Sequence, residues 1–217
     1  MNKLTRLTGT IALATSALTA TSAFADMSYN LGYASEYHFR GILQKNSSAS
    51  AGADFESGGF YAGTWAADVG DGLEVDGYFG YGIETESGIS AGVGFTGYYY
   101  TGDTFDTEYE EINLSAGYGL LTVDYAIGKH DIQGGGDEDY TYLALTLEAE
   151  SGLYGTYGTW GDEFDGDFIQ IGYGTTVAEL DLGIALILAS KELSFELDDS
   201  GNPASDESLV FTIGKSF

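Results

Sequence analysis

The chain has no cysteine, one proline and only seven lysines and arginines in 217 residues. The missing cysteines exclude disulfides, thiolate metal sites and a cysteine nucleophile. The scarcity of bases excludes nucleic-acid binding. Against them stand 34 acids, a net charge of −27, and such a chain does not neutralise a run of phosphates. Beyond residue 25 no stretch approaches the roughly 20 apolar residues of a membrane helix. Glycine (33), tyrosine (17) and phenylalanine (12) are plentiful instead. That aromatic content is foreign to an acidic disordered chain, and the length suits one domain.

Residues 1–25 read as a secretory signal peptide. Lys3 and Arg6 make a positive start, Leu7 to Ala20 an uncharged middle, and Ala23-Phe24-Ala25 an A-x-A cleavage site. Cleavage leaves residues 26–217 as one domain, with five bases against 34 acids, a net −29. An exported chain without an apolar helix can cross a membrane only with strands.

The remainder alternates with period two. Tyr29, Leu31, Tyr33, Tyr37 and Phe39 share one face, and Asn30, Gly32, Ala34, Glu36, His38 and Arg40 the other. Leu180, Leu182, Ile184, Leu186 and Leu188 stand against Glu179 and Asp181 in the same way. The pattern predicts twelve strands, near 27–40, 47–56, 60–68, 73–85, 88–100, 108–118, 120–129, 138–149, 152–160, 167–175, 178–189 and 207–217. Most exceed the five or six residues of a soluble strand and match the roughly 9–11 of a tilted membrane strand.

The predicted connections alternate between short and long. Short ones include three Glu-Ser-Gly turns, at residues 56–58, 86–88 and 150–152, with Tyr118-Gly119-Leu120 and Thr175-Thr176-Val177. The recurrence suggests a ladder of related hairpins. Longer, acidic ones run over 68–72, 101–107, 130–137, 161–166 and 191–206. Outer-membrane barrels have this asymmetry, with short turns on the periplasmic side.

A soluble sandwich also alternates, and charge placement separates the two. Glu36, Asp54, Asp76, Glu111, Asp124 and Asp181 fall on the glycine- and serine-bearing face. The apolar face is charged only near strand ends, at Glu110, Lys129 and Lys215. Lipid imposes that rule, because a charge at mid-bilayer costs about 2–4 kcal/mol and far less at the interface. Tyrosines and phenylalanines gather toward strand ends, as interfacial girdles do. The expected fold is an all-β, antiparallel, up-and-down transmembrane β-barrel of about twelve strands.

With His38 and Arg40, those six acids are the candidate pore-lining residues. Arg40 is the one arginine beyond the signal segment. It either faces lumen carboxylates across a constriction or locks the interior as a buried ion pair. The bulky lumen candidates Tyr78, Tyr98 and Tyr140 favour closure, and the lumen glycines favour a path. His38 beside Glu36 could belong to a hydrolase, but no serine is marked as nucleophile, so no enzyme is expected. Asp162, Glu163, Asp165 and Asp167 cluster in one loop, and Asp198 with Asp199 in another. None fits an EF-hand. The expectation is a solvated surface holding loosely bound divalent cations against lipopolysaccharide, with no metal site and no cofactor. Gly134-Gly135-Gly136 lacks the Lys-Ser or Lys-Thr of a phosphate loop.

The chain ends in Phe217, with Leu209, Phe211 and Ile213 on its parity and Lys215 interrupting the row. This resembles the terminal signal of bacterial outer-membrane barrels. The stretch Ser35-Glu36-Tyr37-His38-Phe39-Arg40-Gly41-Ile42-Leu43-Gln44 resembles the Ser-Asp-Tyr-x-Phe-Arg-Gly-x-Ser-Gln opening of the TorF-family porins, also described as the Gcw_chp family. Glu stands for Asp and Leu for Ser. Gly59-Phe60-Tyr61-Ala62-Gly63-Thr64-Trp65 is similar to that family's next strand. The resemblance implies an outer-membrane barrel with a porin role in a Gram-negative bacterium, and it supplies no catalytic residues.

Two functions remain. One is a passive, cation-favouring channel for small solutes or ions. The other is a non-conducting structural or surface-interaction barrel with acidic extracellular loops.

Overall fold

The computed structural model describes residues 26–102, 108–132 and 135–217. The expected signal peptide and part of two loops lie outside these residues. Twelve strands follow one another: β1 (Asp26–Phe39), β2 (Ile42–Ser57), β3 (Phe60–Gly70), β4 (Gly72–Glu84), β5 (Ile89–Tyr100), β6 (Glu108–Tyr118), β7 (Leu121–Asp131), β8 (Asp137–Glu148), β9 (Leu153–Asp162), β10 (Asp167–Val177), β11 (Leu180–Ala189) and β12 (Asp206–Ser216). Each pairs antiparallel with its chain neighbours, and β1 closes on β12 to make a barrel. The expected strands are all present. β2 starts earlier than the alternation suggested, at Ile42 rather than near 47.

Side-chain size and polarity are inverted relative to a soluble domain. Leu31, Phe79, Ile112, Ile171 and Phe211 are each more than half exposed on the outer face. Glu74, Asp76 and Glu111 are buried inside. A water-soluble monomer does not carry an apolar belt of that size. A transmembrane β-barrel must, because lipid solvates the outer row and the closed ladder satisfies the backbone. Of the outward charges, Glu110 lies opposite Lys129, and Lys215 bonds Glu179 at 3.0 Å.

Turn chemistry differs from expectation in three places. The expected longer loop at 68–72 is a tight turn at Asp71, with Gly70 opposite Gly72. The β10–β11 turn is Ala178-Glu179, both at positive φ (52° and 64°), with Val177 opposite Leu180. The expected turn at 175–177 is therefore strand. The β1–β2 turn is Arg40-Gly41, at φ 49° and 88°, with Phe39 opposite Ile42. The latter two are two-residue hairpin turns whose twist suits the flanking strands. Arg40 is thus a turn residue and not the end of a strand.

Several lumen rings lie over glycines of the adjacent strand. Tyr78 faces Gly63, Tyr140 faces Gly128 and Tyr154 faces Gly172 in register. A Cβ at Gly63 would stand 2.6 Å from the Tyr78 ring, and those at the other two would be closer still.

Candidate functional site

The β1–β2 hairpin leaves the wall. β1 pairs with β12 only from Asn30 to Ala34, and β2 pairs with β3 only from Ser50 to Ser57. Above those points β1 and β2 pair with each other, through Glu36–Asn46, Tyr37–Lys45, His38–Leu43 and Phe39–Ile42. A bulge between Tyr37 and His38 turns both side chains inward, where each is buried. The parity reading had put Tyr37 on the apolar outer face, and the bulge corrects it.

The hairpin tip fills the lumen toward the long-loop end. Arg40 donates two hydrogen bonds to Glu111, at 2.5 and 2.8 Å, and the side chains are 8% and 0% exposed. Glu111 also accepts from Tyr98 (3.0 Å), Tyr140 (3.0 Å) and Asn113 (2.8 Å). The guanidinium lies 4.2 Å from the centre of the Tyr142 ring, and Trp160 donates its indole N–H to the Arg40 carbonyl at 3.1 Å. Beside this cluster Tyr37 (2.5 Å) and Tyr100 (2.9 Å) donate to the two oxygens of Glu74. Phe39 packs edge-on to Tyr98 with centroids 5.5 Å apart. A bidentate pair with every carboxylate lone pair served is the arrangement in which a buried salt bridge survives desolvation.

The eight candidate residues separate into three groups. Arg40, Glu111 and Asp76 lie in the plugged half, where both Asp76 carboxylate oxygens are buried without a hydrogen-bond partner among the described residues. Glu36 and His38 meet at 3.2 Å and line a cavity of about 10 Å³, shared with Tyr154, Gln170, Ile187 and Val210. That is room for roughly one water. Asp54, Asp124 and Asp181 stay half-buried toward the short-turn end. Asp54 accepts from Tyr78 and Asn30, and Asp181 accepts from Thr176 at 2.6 Å.

Sequence reasoning missed Tyr37, Glu74 and Trp160. Glu74 shares the parity of Asp76, a signal that was present. The partners of Tyr37 and Trp160 lie 37 and 120 residues away. It also passed over His130, which stacks on Tyr109 at 4.2 Å and bonds Glu163 at 2.8 Å at the loop end. Among the described residues, neither His38 Nδ1 nor His130 Nε2 has a partner, so no described hydroxyl meets either ring at those atoms.

The acids of the 162–167 loop diverge. Asp162 accepts from Thr141, Glu163 pairs with His130, and Asp165 accepts from the Gly166 N–H. Among the described residues no group of three His, Cys, Asp or Glu could hold a metal ion. In the last loop the backbone N–H of Asn202, joined by its side-chain amide and the Ser200 N–H, holds the Asp198 carboxyl below the usual carboxylate range.

The family described as "Bacterial protein of unknown function (Gcw_chp)" matches residues 17–156. The chain belongs to the Gcw_chp family. The resemblance drawn from residues 32–65 is thereby borne out, while the name TorF rests on that motif alone. No curated protein matches the chain. Among solved structures, this Gcw_chp barrel is similar to the COG4313 outer membrane channel from Pseudomonas putida F1, with TM-score 0.52 and 11% identity over 91% of this chain and 97% of that one. It also matches Pseudomonas aeruginosa OprD, with TM-score 0.42 and 15% identity over 91% and 68% of the chains. For Pseudomonas aeruginosa OccK1 (OpdK) the TM-score is 0.41 at 15% identity over 80% of this chain, and the match spans 57% of OccK1. These likenesses are of fold.

Proposed function

We propose that this Gcw_chp protein is an outer-membrane channel for small solutes or ions that is shut in the present conformation. One observation carries the reading. The tip of one hairpin fills the lumen toward the long-loop end, joined there to neighbouring wall side chains. Toward the short-turn end the inward positions include Gly32, Gly52, Gly92 and Gly117, with the half-buried acids Asp54, Asp124 and Asp181. The fold shared with the COG4313 outer membrane channel supports this.

The short turns face the periplasm and the acidic loops face outward, where divalent cations bridge them to lipopolysaccharide phosphates. Current favours cations, because Arg40 is already paired with Glu111 while Asp54, Asp124 and Asp181 line the lumen nearer the short-turn end. The barrel carries out no covalent chemistry. The second reading, a non-conducting barrel, draws on the same buried Arg40–Glu111 pair.

Conductance of the purified protein in a planar bilayer under a salt gradient tests both. Discrete steps with a cation-favouring reversal potential are expected, rare in the native protein and frequent in Arg40→Ala. A folded barrel that stays silent in both forms would overturn the channel reading in favour of the structural one.

A further inference from the structure

The departing hairpin leaves an unpaired edge behind it. β12 continues to Asp206, paired with β11 throughout, but its other side loses β1 after Thr212. Among the described residues, 206–211 therefore present about 20 Å of strand edge with no strand beside it. The described contact there is the Phe211 N–H donating to Ser35 Oγ at 2.9 Å. Open sheet edges are not tolerated against lipid and elsewhere invite a strand to add on.

We propose that this edge is the second seat of the chain's own residues 35–40, so that the β1–β2 hairpin has two positions, one in the lumen and one in the wall. Three observations favour this occupant over a foreign strand. First, the segment is already tethered in register, because Asn30–Ala34 pair with Ser216–Thr212. Extending that register sets Ser35 opposite Phe211, Tyr37 opposite Leu209, Phe39 opposite Glu207 and Arg40 opposite Asp206.

Second, the alternation suits the wall. With the bulge removed, Tyr37 and Phe39 continue the outward row of Leu31 and Tyr33, and Glu36, His38 and Arg40 face the lumen. Third, each seat supplies Arg40 with a carboxylate, Glu111 inside and Asp206 at the rim. Moving the tip outward would vacate the plugged half of the lumen and seal the edge in one step. The bulge at Tyr37/His38 and the positive φ of Ser47 (66°) mark the backbone that must change.

Cross-linking tests the second seat, and the absence of native cysteine makes it clean. Tyr37 is buried with its hydroxyl on Glu74, whereas Leu209 is 52% exposed on the outer face. Tyr37→Cys with Leu209→Cys should form a disulfide under mild oxidation in lipid vesicles only if the hairpin enters the wall. Tyr33→Cys with Ile213→Cys, already paired across the seam, is the positive control.

Cross-linking of the test pair, with a rise in open fraction that reductant reverses, is the expected result. No cross-link while the control pair reacts fully would overturn the second seat. Because Tyr37→Cys also weakens the inner seat, Asp206→Arg is measured in the otherwise native chain. It leaves Arg40–Glu111 intact and should lower the open fraction roughly two- to fivefold, the worth of a half-exposed ion pair. An unchanged open fraction would overturn the role given to Asp206. Only the effect on current depends on the channel reading. A cross-link without current keeps the second seat and removes the channel, and current without a cross-link does the reverse.

Discussion

Arg40→Ala should release the hairpin while sparing the barrel. The substitution leaves Glu111 as a carboxylate with 0% side-chain exposure. Removing one partner of a buried pair costs about 3–5 kcal/mol. Tyr98, Tyr140 and Asn113 still donate to Glu111, which places this case toward the lower end. Since 1.4 kcal/mol is tenfold, about 3 kcal/mol moves the seated-to-released ratio by roughly a hundredfold. The cost falls on the seat, because Arg40 contributes nothing to the ladders of the other strands.

Ile42→Cys reports it, since Ile42 packs against the interior cluster when the tip is inside. Labelling of that cysteine by a membrane-impermeant maleimide should accelerate by one to two orders of magnitude in the Arg40→Ala background. Adding Glu111→Gln removes the stranded charge and should restore slow labelling in large part. Equal labelling rates with and without Arg40 would refute the claim that this pair holds the plug.

Gly41→Ala should loosen the same seat by roughly 1–2 kcal/mol from the left-handed backbone alone, and more because a Cβ there would lie 2.7 Å from the Phe168 ring at φ 88°. Thermal release of the tip, followed by the Ile42→Cys reporter, should shift downward, and an unchanged midpoint would contradict the packing. Ile112→Arg, on the outer face at 51% exposure, should destabilise the barrel in phospholipid bilayers by up to about 2–4 kcal/mol. Urea unfolding in vesicles measures this, and a change below about 0.5 kcal/mol would favour a water-facing surface. The Asp198 turn should be ordered above the ordinary Asp range and lost as pH falls through its lowered value. Amide NMR shifts of Ser200 and Asn202 that move only near an unperturbed pKa of about 4 would contradict that hydrogen bonding.

The twelve strands were legible because the barrel imposes period two on every residue that crosses lipid. The acid-bearing face was legible for the same reason. The inward hairpin was not. Its alternation runs unbroken through Arg40, so pattern alone draws a straight strand, and arginine at positive φ is no recognised turn signal. Tyr37 shows the cost of one bulge, which reversed its face without any change in composition. The Arg40–Glu111 contact spans 71 residues and follows from closure of the sheet, which local pattern does not encode. Parity correctly placed Arg40 in the lumen but could not say which carboxylate would claim it.

The rings laid across facing glycines make the two commonest peculiarities of the composition a single trait. Tyr78 over Gly63, Tyr140 over Gly128 and Tyr154 over Gly172 are couples in which neither member changes alone without a clash or a void. The bore is therefore quantised in pairs. A sequence drifting toward a wider or narrower passage must take two coordinated steps at once, one on each of two neighbouring strands. Attempts to redesign the interior should exchange such couples as units, in the way a mason replaces a keyed joint and not a single stone.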